Sequence, residues 1–305
     1  MKKVFFSFML LMGVAVLSSC SNNEDVYTAN TVSNETVESN NQLTELRTKI
    51  LAYNQTLQPS AVTRGWRWWK WLILGASDAV GGLCGGLFGG VSASSIVAVA
   101  WASDINQIGF TGTGSTRSVS DSTNTVNYSG IIINQNEYME DYADSIGFLH
   151  NQAIIDFCSN TAVIQAYNTA SVNEKINFIA STLQAVSNND YISNLSERDK
   201  LVAFNKADLI KGIATSSETL SDFMNGLRNN SSVLGMTTSE LDVLEAYFEG
   251  LSQIIEHDHN GNYMNTILHY TDRSDLPSEL KIKLGNVMIL AYASFTLWGN
   301  SSMAN

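Results

Sequence analysis

The sequence has few cysteines, few positive charges and none of the common catalytic motifs. Three cysteines are too few for a scaffold built on disulfides. Only 17 lysines and arginines stand against 29 acidic residues, and a net charge of −12 opposes binding to nucleic acid. There is no Gly-x-Ser-x-Gly elbow, no phosphate loop and no cysteine–histidine pair at a useful spacing. We therefore expect no nucleic-acid partner, no catalytic activity and no cofactor apart from a covalent lipid, described below.

The alternation of apolar and polar residues that is typical of β-strands is also nearly absent, whereas helical spacing of apolar residues is frequent in residues 131–305. Apolar residues recur there at three- and four-residue steps, as in Ile176, Ile179 and Leu183. Thr237 and Glu240 fit a capping box at the start of another such stretch. These patterns predict an all-α protein whose C-terminal domain, residues 131–305, is a bundle of about six helices.

The N-terminus has the pattern of a signal peptide. Lys2 and Lys3 precede an uncharged stretch of 14 residues, 4–17, which is too short for a permanent membrane span. The stretch ends in Leu17-Ser18-Ser19-Cys20, which resembles the lipobox of bacterial lipoproteins. The resemblance implies removal of residues 1–19 and acyl chains such as palmitate on Cys20, which would anchor the protein to a membrane.

The residues after Cys20 indicate where the anchored protein resides. The segment 21–25, with Glu24 and Asp25, is similar to the acidic export signals of surface lipoproteins in the Bacteroidota. This resemblance implies the outer membrane and the cell surface. Residues 20–41 are rich in Asn, Ser, Thr and Glu and predict a disordered tether, followed by a helix over 42–58.

Residues 62–105 are unlike the rest of the chain. They open with tryptophans that alternate with cations: Trp66, Arg67, Trp68, Trp69, Lys70 and Trp71. Tryptophan favours the membrane interface and cations meet anionic lipid there, so this run predicts membrane contact. The alternative is a tryptophan patch packed in the core or against carbohydrate.

Two overlaid series of glycines at four-residue steps follow this run. They are Gly81, Gly85 and Gly89, and Gly82, Gly86 and Gly90. Such a glycine zipper allows close helix approach, within the chain or between copies of it. Three structures remain open: a helix or hairpin in a membrane, a helical pair buried under residues 131–305, and a flexible loop. Asp78 and Asp104 flank the run and are expected at its wet ends.

The sequence also contains three further candidate sites. Ser122, in a predicted linker over 106–130, fits the O-glycosylation acceptor of the Bacteroidota. His257 and His259 are weak candidates for a metal site. Residues 147–151 resemble a Gly-x-x-His-Asn element of uncharacterised secreted helical proteins, and we expect interhelical hydrogen bonds from His150 and Asn151.

Cys84 and Cys158 are the cysteines that remain after lipidation. The sequence favours small buried apolar side chains for both, with a single disulfide as the alternative.

Two classes of function fit these features. The first is a non-enzymatic surface lipoprotein that binds a protein or glycan partner. The second is a membrane-active effector, similar to a bacteriocin or toxin, whose glycine zipper assembles in a target bilayer. A metal-dependent enzyme using His257 and His259 comes third.

Overall fold

The computed structural model describes residues 32–57, 66–101, 127–128, 131–132, 143–159, 161–186, 191–254, 258 and 261–303. Within them the chain forms twelve helices and one antiparallel pair of two-residue strands, so the all-α prediction is confirmed. The elements are α1 (Val32–Asn54), α2 (Trp66–Ala100), β1 (Asn127–Tyr128), β2 (Ile131–Ile132), α3 (Ala143–Ser159), α4 (Thr161–Thr169), α5 (Val172–Val186), α6 (Tyr191–Asn194), α7 (Glu197–Ser216), α8 (Leu220–Asn229), α9 (Ser231–Leu234), α10 (Thr238–Ile254), α11 (Asn262–Asp272) and α12 (Ser278–Met303).

Helix α1 begins at Val32, inside the segment predicted as a tether, and ends at Asn54. Residues 32–41 contain no glycine or proline, so nothing in them stops a helix that the next turns nucleate. Leu43, Leu46 and Ile50 form the buried face of α1 and pack it against α10. The predicted boundaries 20–41 and 42–58 are therefore wrong at this junction.

Helix α2 is a hairpin of two helical halves. Its helical geometry is interrupted at Gly85 and Gly86, and Gly86 has a φ of +58°, which favours glycine. The chain reverses there, so that Gly81 faces Gly89 across the two halves. Of the three structures that the sequence left open, this geometry is a packed helical pair.

The hairpin lies at the centre of the protein. Helices α7 and α12 make its largest contacts, and α3 and α5 also pack against it. Every residue from Trp71 to Ala98 is buried except Gly82 and Gly86, which are partly exposed. Helix α12 shares this position, with Leu284, Leu290 and Trp298 fully enclosed.

The outer helices begin at capping residues that the sequence makes recognisable. The hydroxyl of Thr237 accepts the backbone N–H of Glu240, and the Glu240 carboxylate accepts the N–H of Thr237, so the capping box is confirmed. Ser196 and Thr219 cap α7 and α8 in the same way. These local signals fix where the surface helices begin.

Candidate functional site

The predicted tryptophan and cation segment divides between the core and the surface. Trp71 is 6% exposed and stacks on Trp298, with ring centroids 5.6 Å apart. Half-buried Trp69 meets the edge of Trp101, and Lys70 Nζ lies 5.6 Å from the centre of the Trp101 ring. Trp71 is thus a core residue and is not available for the predicted membrane contact. The side chains of Trp66, Arg67 and Trp68 lie outside the described residues.

The hairpin glycines have different neighbours. A Cβ on Gly81 would lie 2.5 Å from the carbonyl oxygen of Gly89, so these two glycines let the halves of the hairpin touch. A Cβ on Gly82 would lie 2.5 Å from Leu290 Cδ2 of α12. Approach as close as that of Gly81 and Gly89 is possible only because neither residue has a side chain.

Gly85 and Gly90 also meet residues of the same chain. A Cβ on Gly85 would lie 2.6 Å from Ala203 Cβ of α7, and a Cβ on Gly90 would lie 2.8 Å from Leu290 Cδ2. Self-association through these faces would therefore require the hairpin to leave the body.

Asp78 lies in the middle of this apolar core, not at a wet end as predicted. Its side chain is 0% exposed. Ser94, on the other half of the hairpin, donates a hydrogen bond to Asp78 Oδ2 at 3.0 Å, and Ser294 of α12 donates to the same oxygen. The expectation failed because the turn at Gly85 and Gly86 folds Asp78 against Ser94 and under α12. The carboxyl group thus joins both halves of the hairpin to α12.

Helix α3 completes this cluster with His150 and Asn151, both buried. His150 Nε2 lies 3.5 Å from Asp78 Oδ2, and His150 Nδ1 lies 3.0 Å from Asn151 Oδ1. Asn151 Nδ2 donates to the carbonyl oxygen of Ala293 on α12 at 2.9 Å. The predicted interhelical hydrogen bond of Asn151 is confirmed. The one predicted for His150 is not formed, because its Nδ1 meets the adjacent Asn151 and its Nε2 approaches Asp78 without a hydrogen bond.

Burial controls the ionisation of this cluster. It raises the pKa of Asp78 to about 8, against the opposing hydrogen bonds from Ser294, Ser94 and Trp298. Burial also lowers the pKa of His150 to about 4, although the hydrogen bond to Asn151 acts in the opposite direction. At neutral pH the carboxyl group is therefore protonated and the imidazole is neutral.

The two remaining cysteines are free and buried, as the sequence favoured. Burial raises the pKa of Cys158 to about 12, and the nearby Asp78 acts in the same direction. Cys84 Sγ donates to the carbonyl oxygen of Leu234 at 3.4 Å. A protonated, enclosed thiol is a poor nucleophile, so Cys158 next to the Asp78 cluster does not make a catalytic pair.

The predicted metal candidates His257 and His259 lie outside the described residues, as do Cys20 and Ser122. Between the two histidines, Asp258 accepts the backbone N–H groups of Asn262 and Tyr263 with its two carboxylate oxygens. Asp258 therefore stabilises the N-terminus of α11 by accepting its free backbone N–H groups. In the part of the chain that the structure describes, no group of three metal-ligating side chains comes together.

Sequence reasoning did not find the Asp78 cluster. One signal was present, because Asp78 is the only charged residue between positions 71 and 103. A lone carboxyl group in an apolar run needs polar partners, but these come from residues 16, 72 and 216 positions away. The arrangement encloses the polar groups completely, so it can hold and release a proton but offers no opening to a substrate. Comparison of the chain with family models, curated proteins and solved structures found no match.

Proposed function

We propose that this chain is a lipid-anchored surface protein whose helical body binds a partner without catalysing a reaction. The observation that carries the proposal is the burial of the hairpin α2. An apolar segment that the body already encloses acts as its core, and needs no bilayer to satisfy its backbone or side chains. The enclosed Asp78 cluster supports a non-enzymatic role, because its polar atoms are not open to solvent.

The lipid anchor is the part of the proposal that rests on residues 2–25. Eleven residues separate Cys20 from the start of α1, and a fully extended chain of that length reaches about 40 Å. The body would therefore stay close to the lipid surface. The half-buried Trp69, Lys70 and Trp101 at the open end of the hairpin suit contact with that surface, since indole and ammonium groups favour headgroups.

The anchor is tested by labelling with palmitate. We expect the wild-type protein to incorporate the label and Cys20→Ala to lose it, since the thioether needs the Cys20 sulfur. A suitable control is Cys84→Ala, which removes a thiol buried in the body. Equal incorporation into the wild type and Cys20→Ala would contradict the anchor.

The protein lacking residues 1–20 tests whether the body is a soluble binding protein or a membrane-active one. We expect it to be soluble and helical without detergent, and to bind anionic vesicles weakly without releasing a trapped dye. Substitution of Lys70 with Gln should weaken the vesicle binding, whereas Lys211→Gln, which changes a solvent-exposed lysine on α7, should not. Dye release at low protein concentration would contradict the proposal.

A membrane-active effector is the second candidate, because one observation favours it. Among the described residues, Ser278–Trp298 is a helix long and apolar enough to cross a membrane, and Trp69–Ala100 meets the same test by length and composition although its chain reverses at Gly85 and Gly86. Both are mostly buried in the body, so the core of a soluble protein explains them equally well. Dye release in the vesicle experiment would support this candidate over the first.

A further inference from the structure

The hydrogen bonds of Asn151 determine which nitrogen of His150 carries a proton. Asn151 Nδ2 donates to the Ala293 carbonyl, which directs Oδ1 of the same amide towards His150 Nδ1. An amide oxygen only accepts hydrogen bonds, so His150 Nδ1 must be the donor. In a neutral imidazole this leaves Nε2 as a bare acceptor.

The bare Nε2 faces Asp78 Oδ2 at 3.5 Å, and both side chains are 0% exposed. An ionised carboxylate would place two acceptors opposite each other in a region without solvent, which is unfavourable. One proton shared by the two groups removes this conflict. We propose that Asp78 and His150 form a single buried proton-binding site, and that its proton stabilises the docking of the hairpin on α3 and α12.

The position of the site explains why its proton would matter for docking. Asp78 accepts from Ser94 on the second half of the hairpin and from Ser294 on α12, and it faces His150 on α3. Loss of the proton leaves an unpaired negative charge where these four helical segments meet. An uncompensated buried charge is strongly destabilising.

The directions of the pKa shifts agree with this geometry and define a pH window. Burial raises the pKa of Asp78 to about 8 and lowers that of His150 to about 4, so the folded pair holds one proton between these values. In the unfolded chain, with ordinary values of 3.8 and 6.5, the pair holds one proton only up to about pH 6.5. Stability is therefore level from about pH 4 to 6.5, and is lost as the pH rises from 6.5 to 8.

Other groups near Asp78 do not titrate in this window. On α3 the second titratable neighbour is Cys158, whose pKa burial raises to about 12. Helix α12 presents Ser294 and Trp298, and the second half of the hairpin presents Ser94, none of which ionises near neutral pH.

Buried charged groups on the other helices packed against α2 have their own partners. Lys206 of α7 donates to the carbonyl oxygen of Leu234 at 2.9 Å. Glu240 of α10 forms an ion pair with Lys283 at 2.9 Å. The titration between pH 6.5 and 8 is therefore assigned to the Asp78–His150 pair.

The experiment measures urea unfolding of the protein lacking residues 1–20 at a series of pH values. For the wild type we expect a level unfolding constant between about pH 4.5 and 6.5. Above that it should rise, because up to one proton is released on unfolding, to roughly 15-fold at pH 8 and to a limit of roughly 30-fold at higher pH. A level profile up to pH 8 would overturn the proposal.

Two variants separate a proton site from a merely structural cluster. Asp78→Asn cannot release a proton, so its rise above pH 6.5 should disappear. His150→Gln leaves only Asp78 to titrate, so its rise should begin near pH 4 instead of 6.5. Asp156→Asn, which changes an exposed carboxylate on α3, should keep the wild-type profile. If both cluster variants lower stability without moving the onset of the rise, the proposal is wrong.

Infrared spectroscopy of the wild type keeps the test valid if Asp78→Asn does not fold. A protonated carboxyl group has a carbonyl stretch distinct from that of a carboxylate. We expect one such band at pH 6.5 that vanishes as the pH rises past 8. Its absence at pH 6.5 would exclude the proton on Asp78.

Discussion

Helix α7 and the hairpin α2 lie against each other but bury themselves in different ways. Helix α7 alternates exposed positions with a buried face that includes Phe204, Ile210 and Ile213. The hairpin is buried on nearly every side, and its contacts with itself run through Gly81 and Gly89. Both elements bury large side chains, Phe88 among those of the hairpin, but the hairpin also depends on the absence of side chains where its halves touch.

This difference predicts opposite sensitivities to mutation. Elements held by large side chains lose stability when atoms are removed, because a cavity remains. Elements held by backbone contact lose stability when atoms are added, because a backbone atom cannot rotate away as a side chain can. Three of the four substitutions below test this contrast, and the other tests buried hydrogen bonds.

Phe223→Ala should have the largest effect. Phe223 is 0% exposed on α8, so its truncation leaves a cavity in the core. We expect a loss of about 4 kcal/mol in the free energy of unfolding, measured by urea denaturation. A loss below about 1 kcal/mol would show that α8 is not held by this side chain.

Gly81→Ala adds only a methyl group to the hairpin. That methyl would lie 2.5 Å from the Gly89 carbonyl oxygen and 2.7 Å from Ala93 Cβ, so the two halves must separate. We expect a loss of about 3 kcal/mol in the free energy of unfolding, by the same denaturation experiment. A neutral effect would mean that the halves do not touch at Gly81.

Asn54→Ala tests a third kind of contact, in which buried hydrogen bonds hold α1. Asn54 Nδ2 donates to the Ala246 carbonyl at 2.7 Å, and Tyr263 Oη donates to Asn54 Oδ1 at 2.9 Å. Removal of the amide leaves the buried Ala246 carbonyl without its Asn54 donor, so we expect a loss of about 2 kcal/mol. If limited proteolysis cuts α1 equally in the variant and the wild type, this docking role is contradicted.

Gly212→Ala should have the smallest effect and the opposite sign to Gly81→Ala. Gly212 lies on the exposed face of α7, and a Cβ there meets nothing within 4 Å. Replacing glycine by alanine in a helix reduces the entropy lost on folding, so we expect a gain of up to about 1 kcal/mol. Loss of stability here would show that added methyl groups harm this protein regardless of position.

The sequence predicted those parts of the fold that depend on local signals. The capping box at Thr237 and Glu240 and the apolar face of Ile176, Ile179 and Leu183 need only neighbouring residues, and both are present as predicted. The N-terminal extension of α1 was missed because polar composition suggested a tether, although no residue there breaks a helix.

The centre of the molecule could not be predicted in the same way. Six glycines at regular steps do not indicate at which pair the chain turns, and only Gly86 takes the positive φ there. The burial of Asp78 depends on Ser294, 216 residues further along the chain. Such contacts depend on how distant helices meet, which periodicity does not encode.

The central claim is that the hairpin is the core of a body that folds in water. Amide hydrogen exchange of the protein lacking residues 1–20, in buffer without detergent or lipid, tests it most directly. If the claim is right, the amides of the hairpin between Leu74 and Val97 exchange as slowly as those of α10, because both open only when the body unfolds. Fast exchange throughout the hairpin while α10 stays protected would contradict the claim.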